Sequence, residues 1–148
     1  MNKYNSEGYY DPTAYEALSK VHKEEQVKRK LYINSLRNKL PYMPKVFICS
    51  PFSGDVEENR KKALKYCRFA VHKLCVPYAS HLFFPLFLKE NNEYERSLGI
   101  IMGTVFLNDC SEIWVFGNKI TEGMRIEINK AKKAKKRIRY FTEECEEV

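Results

Sequence analysis

The residues equipped to act on a ligand are concentrated in two glycine-containing turns. The first is Ser50-Pro51-Phe52-Ser53-Gly54-Asp55, where an apolar run ends and a helical pattern begins. Its hydroxyls, its backbone N–H groups and the N-terminus of the following helix suit an anion such as phosphate. The same residues also suit an ordinary turn in which Ser53 or Asp55 caps the helix, and the segment matches neither a G-x-G-x-x-G nor a Walker A loop. The second is the stretch from Gly117 to Glu127, a glycine-bounded loop that feeds a helix with Glu127 in its early turns. There the helix dipole favours a carboxylate by a few tenths to about 1 kcal/mol, which would keep Glu127 ionised as a nucleophile or base. The competing arrangement is an exposed Glu127 paired with Lys130 at i, i+3.

Three histidines are present. His22 and His72 fall inside helical patterns, whereas His81 follows a short strand and is a candidate to line the same site. No His, Cys, Asp and Glu set has metal-ligand spacing, so neither a metal nor another cofactor is expected. The five cysteines are odd in number and form no C-x-x-C pair, which reads as free thiols in a reducing, cytoplasmic compartment.

Alternating strands and helices must position these residues. Lys45–Ser50, Val76–Ala79, Glu112–Phe116 and Arg137–Phe141 are short apolar runs, separated by the helical patterns Glu57–Leu74, Glu93–Leu107 and Thr121–Lys136. Gly99 and Gly103 weaken the second helical pattern. In Glu57–Leu74 the apolar positions Ala63, Leu64, Cys67, Ala70, Val71 and Leu74 form the expected inner face. The alternation predicts an α/β fold, a parallel sheet of four to five strands with helices on both faces. Right-handed crossovers then bring the carboxyl ends of the strands to one edge, where ligands of such sheets bind. Segments 50–55, 79–84 and 117–123 reach that edge. Before the sheet, Asp11-Pro12 offers an N-cap and a proline at the first helical position, and Thr13–Leu40 contains no glycine or proline. This predicts an N-terminal helical extension over residues 1–44, as one long amphipathic helix or a helix pair, and an α/β domain over 45–148. The acidic segment Glu143–Val148 is expected to fray.

A chain of 148 residues buries roughly two-thirds of its unfolded surface and needs no staple. No apolar stretch approaches the ~20 residues of a membrane span, so no membrane partner is expected. The net charge of +7 suggests a polyanion at first. Lys130–Arg139 alone holds seven basic groups and no acid, leaving the other residues neutral in sum. The excess lies on the far half of the last helix and on the strand after it, where cations complement the negative pole of the dipole. A nucleic-acid partner is therefore not expected.

Several segments in order carry a family resemblance. Val46–Gly54, Pro77-Tyr78-Ala79-Ser80-His81, Cys110–Gly117 and Gly123-Met124-x-x-Glu127 together resemble the nucleoside 2-deoxyribosyltransferase-like superfamily, and within it a bacterial and phage branch that often carries a D-P-T-A-Y-E-A helix, here Asp11–Ala17. The resemblance implies a flavodoxin-like (Rossmann-like) fold. It also implies that Glu127 attacks the anomeric carbon of a deoxyribose and expels the base, a retaining glycosyl transfer, and that Ser50–Gly54 surrounds the sugar and any 5′-phosphate. Transferases of the superfamily carry Asp-Asp-Gly or Asp-Ser-Gly before the nucleophile helix, and this chain has Thr121-Glu122-Gly123. Related nucleotide N-hydrolases have a phosphate-binding serine at the position of Thr121, which favours hydrolysis over base exchange. The expected site is thus Glu127 as the catalytic residue, with Ser50, Pro51, Phe52, Ser53, Gly54, Asp55, His81, Gly117, Thr121, Gly123 and Met124 binding substrate. Asp55, Asp109 and His81 are the candidate general acids. The implied partners are a nucleoside or nucleotide and further copies of the chain in a homo-oligomer. The alternative is a non-catalytic module of the same fold that binds or sequesters a nucleotide or nucleotide-derived signal.

Overall fold

The computed structural model describes Tyr4, Tyr9 and residues 12–39, 43–89 and 91–148. The chain divides into two units, residues 1–42 and 43–148. In the first unit, helix α1 (Pro12–Arg37) is one unbroken helix rather than a pair. Its apolar positions Leu18, Val21, Val27 and Leu31 are exposed. The N-cap assigned to Asp11, and residues 40–42 ahead of the sheet, lie outside the described residues.

The second unit is built on four strands, β1 (Lys45–Cys49), β2 (Val76–Tyr78), β3 (Glu112–Phe116) and β4 (Arg137–Phe141), in the order β2-β1-β3-β4. All neighbours pair in parallel, with Phe47 opposite Ile113, Ile48 opposite Trp114 and Val115 opposite Tyr140. A parallel strand covered on both faces must be apolar on both sides. Accordingly Val46–Cys49 and Ile113–Phe116 are all buried. The chain leaves β1 in one direction for β2 and returns past it to β3, which makes the β1–β3 boundary a topological switch point. Helix α2 (Val56–His72) covers the face bearing Val46, Ile48, Trp114, Phe116 and Phe141. Helices α4 (Glu93–Asp109) and α5 (Glu122–Lys133) cover the face of Phe47, Cys49, Ile113 and Val115. A short helix α3 (Ser80–Phe83) and a 3-10 turn (Phe84–Leu86) connect β2 toward α4.

On α2 the inner face is Ala63, Tyr66 and Ala70, while Leu64 and Val71 are exposed, contrary to the reading of their spacing. Tyr66 fills the inner face by stacking on Phe116 at a centroid distance of 4.1 Å. That turns Leu64 and Val71 to the solvent side. Nor does the acidic C-terminus fray. Phe141 and Glu147 form an antiparallel bridge, Lys62 Nζ donates to Glu143 Oε2 at 2.7 Å, and Arg139 Nε and Nη2 donate to the two oxygens of Glu147 at 2.7 and 2.6 Å. The acids that looked like a solvated tail find cations on α2 and β4.

Most of the basic segment is also engaged within the unit. Lys130, Lys132 and Lys133 occupy the last turn of α5, Lys136 donates to the Asn108 carbonyl, and Arg137 and Arg139 pair with Glu112. None of the helices is long and apolar enough to cross a membrane, among the described residues.

Candidate functional site

The carboxyl edge of the sheet holds a cleft of about 390 Å³, bordered by the turn after β1, by α3 and the 3-10 turn, and by α4 and α5. Its volume is in the range of small-molecule sites. Of the residues expected at a site, Ser50, Phe52, Ser53, Gly54, His81, Thr121, Gly123, Met124 and Glu127 border this cleft. Pro51, Asp55 and Gly117 do not. Asp55 is spent on local structure: its Oδ1 accepts the Glu58 N–H at 3.1 Å and caps α2. Gly117, at φ +95°, turns the chain beside Glu143 instead. Asp109 ends α4 three residues before β3 begins, at the opposite edge of the sheet.

Glu127 is the sixth residue of α5, after Thr121, whose Oγ1 accepts the Met124 N–H at 3.4 Å. That is past the first turn, where the influence of the dipole fades. Protein encloses the carboxyl although the residue keeps some surface toward the cleft, and burial raises its pKa from 4.5 to about 7. Hydrogen bonds from the Cys49 thiol and the Ser80 hydroxyl and the charge of Lys130 act against this rise and are outweighed. The carboxyl is therefore near half ionisation at neutral pH, not held ionised by the helix. The exposed Glu127–Lys130 pair is not formed either, because Lys130 Nζ donates to Thr104 Oγ1 at 2.6 Å.

Two adjacent residues at the start of α3 serve the two halves of the cleft. Ser80 Oγ donates to Glu127 Oε1 at 3.3 Å, and His81 Nε2 lies 3.2 Å from Ser50 Oγ. Burial lowers the pKa of His81 to about 4, so the ring is neutral at pH 7, and it packs tilted against Phe52. Removing the Ser80 hydroxyl takes away a bond that favours the ionised carboxyl. Ser80→Ala is thus expected to raise the Glu127 pKa above its wild-type value, read by ¹³C NMR titration of the glutamate carboxyl; a value unchanged or lowered would refute the contact.

Sequence reading missed the wall made by α4. Gly99, Gly103, Thr104 and Leu107 face the cleft, together with Ser80, Phe84, Lys89, Arg96 and Lys130. A Cβ at Gly103 would make an ordinary contact with the Ser80 Cβ at 3.5 Å, so α4 runs close beside α3 at this point. The spacing of Gly99 and Gly103, one helical turn apart on one face, is the signal in the sequence for this wall.

Strand order and cleft together define a doubly wound, flavodoxin-like α/β protein with a cleft at the switch point. Residues 44–141 match the family described as Domain of unknown function (DUF7768), and the chain belongs to that family. No curated protein matches it. Among solved structures it is similar in fold to a 2-deoxyribosyltransferase from the psychrotolerant bacterium Bacillus psychrosaccharolyticus, with a TM-score of 0.52 at 13% identity over 66% of this chain and 72% of that one.

Proposed function

We propose that the cleft takes a 2′-deoxynucleoside or its 5′-monophosphate and that Glu127 cleaves the N-glycosidic bond, with water favoured over a second base as acceptor. The observation that carries this reading is the Glu127 carboxyl at the switch point, enclosed by protein, bonded to Ser80 and poised near neutrality. The fold shared with a 2-deoxyribosyltransferase supports it. In the first step a Glu127 oxygen forms a bond to C1′ while the C1′–N bond breaks, its electron pair leaving with the base, which takes up a proton. In the second, water attacks C1′ as the bond from C1′ to the Glu127 oxygen breaks, its electron pair restoring the carboxylate, and the proton lost by the water passes to solvent. The triplet Thr121-Glu122-Gly123 favours water, because no aspartate stands at the position that helps recognise an incoming base in the resembling transferases. Chromatography of free base released from the four deoxynucleosides and their monophosphates tests this directly, and a protein that releases none of the bases overturns it.

One observation favours the alternative, a non-catalytic binder. The His81 imidazole is neutral at pH 7 and so has no imidazolium proton to give a departing base. Tight binding without base release would establish that reading.

Self-association belongs to the same proposal. The outer side of α4 exposes Ile101, Met102 and Val105 while its inner side lines the cleft, so the helix is apolar on both sides. Such a helix is normally covered. Sedimentation velocity is expected to show a dimer or larger species that Val105→Glu dissociates; a monomeric wild type refutes it.

A further inference from the structure

Cys49 is the last residue of β1 and is fully buried, one position before Ser50, which borders the cleft. It shares the core of the α4–α5 face with Phe47, Val115, Met124 and Ile128. Even so, its thiol has two acceptors in reach. The Met124 carbonyl lies 3.9 Å from Sγ, and the Glu127 carboxyl accepts a hydrogen bond from the same group. The Met124 carbonyl sits in α5, where the helix ladder already supplies a donor, and a carboxylate is the stronger acceptor. The thiol proton therefore turns to Glu127 whenever that group is ionised. Burial, and after it the charge of Glu127, pushes the Cys49 pKa well above its usual value, so the thiol keeps its proton through neutral pH and is no rival nucleophile. The other groups around the carboxyl are Ser80 of α3, Lys130 of α5, which Thr104 of α4 holds, and Tyr78 of β2. Burial first, and then nearby charges, keep Tyr78 neutral by raising its pKa to about 12.

We propose that Cys49 is a positioning residue for Glu127, its thiol holding the carboxylate from the core while the Ser80 hydroxyl holds Oε1 from the cleft, so that the carboxylate meets the sugar in one fixed orientation. This rests on the nucleoside reading above and adds a residue to its machinery. The two donors come from the end of β1 and the start of α3, so the orientation is set by elements other than the helix that carries Glu127. A thiol suits the core position. It is a weak donor that behaves otherwise as a small apolar group, so it is buried at little cost. It orients the carboxylate without drawing away much of its basicity, whereas a strong donor in the same place would lower the pKa and with it the nucleophilicity.

Two substitutions in the full chain separate the proton of Cys49 from its bulk. Cys49→Val keeps an apolar side chain and loses the donor; Cys49→Ser keeps a donor and loses bulk. In ¹³C NMR titration of the glutamate carboxyl, Cys49→Val is expected to move the Glu127 pKa up by about 0.5–1 pH unit, the scale of one hydrogen bond of ordinary net strength. Cys49→Ser is expected to leave it at or below the wild-type value. The rising limb of the kcat/KM profile for base release should follow the same order. On the plateau above it, Cys49→Val should lower kcat about tenfold with KM changed by no more than a few-fold, since Cys49 does not border the cleft. Cys49→Ala, which also lacks the donor, gives the same reading where valine does not fold. A Glu127 pKa unchanged in Cys49→Val, or raised as far by serine as by valine, overturns the role, because packing alone would then explain the residue. An unchanged kcat in Cys49→Val also overturns it. The NMR titration needs no turnover. Base release with the wrong titration order therefore strikes the positioning role alone, whereas the expected order without base release strikes the glycosidic reading alone.

Discussion

Glu127→Gln is expected to lower the rate of base release on the order of 10⁴-fold or more, the scale found when a covalent nucleophile is removed, while ligand affinity changes by no more than a few-fold. Glutamine keeps the shape of the side chain and an oxygen for the Ser80 hydroxyl, so the cleft should persist. In the wild type the attacking form is the carboxylate. With the pKa raised to about 7, kcat/KM should climb with pH through about 7 and level off above it. Stability should run the other way. The folded carboxyl holds its proton more tightly than the unfolded one, so its favourable contribution is complete below about 4.5 and is lost as pH rises toward 7. That loss amounts to about 3 kcal/mol by the usual conversion of a pKa difference. Glu127→Gln removes it, and the variant should be more stable than wild type at pH 8 and closer to it at pH 4. Denaturant titrations at the two pH values check this. A variant that releases base at the wild-type rate would end the proposal that Glu127 attacks the sugar.

Trp114→Ala is expected to cost about 3–5 kcal/mol, the range for truncating a buried large aromatic. Trp114 is central in β3 and 1% exposed. Its ring lies 5.2 Å from that of Phe141 and 5.8 Å from that of Phe69, and the Arg139 guanidinium stands over it at 5.0 Å. The indole N–H donates to Glu112 Oε2 at 2.8 Å, and the same carboxylate receives Arg137 and Arg139. The substitution opens a cavity and removes one partner from that cluster. Against a total of about 5–15 kcal/mol for a domain, the loss is large, and thermal unfolding should shift down by roughly 10–20 °C. Trp114 faces α2, on the side of the sheet away from the cleft wall made by α4 and α5. Ligand affinity per folded molecule should therefore be unchanged at low temperature. A loss under about 1 kcal/mol would mean that this aromatic face is not the core it looks to be.

The strands, the helix starts and the carboxyl edge that holds the cleft are legible in the chain alone, because these depend on neighbours in the chain. Val46–Cys49 and Glu112–Phe116 are apolar runs between turn signals, and Thr121 lies three residues before the amide it caps. Parallel pairing then follows from the alternation of elements, and with it the approach of Ser50–Gly54, His81 and Glu127 to one edge. Tertiary structure alone decided what surrounds them. Whether Asp55 faces the ligand or caps α2, and whether Gly117 faces the cleft or Glu143, depends on the direction of a side chain or a backbone turn, which residue spacing leaves open. The α4 wall with Arg96 comes from a segment about thirty residues away from Glu127 along the chain. The charge state of Glu127 is the clearest case. Its position on the helix argues for ionisation by at most about 1 kcal/mol. Burial among the neighbouring elements removes water from the carboxyl, and that larger desolvation cost, set by residues remote in sequence, outweighs the hydrogen bonds from Cys49 and Ser80 and raises its pKa to about 7.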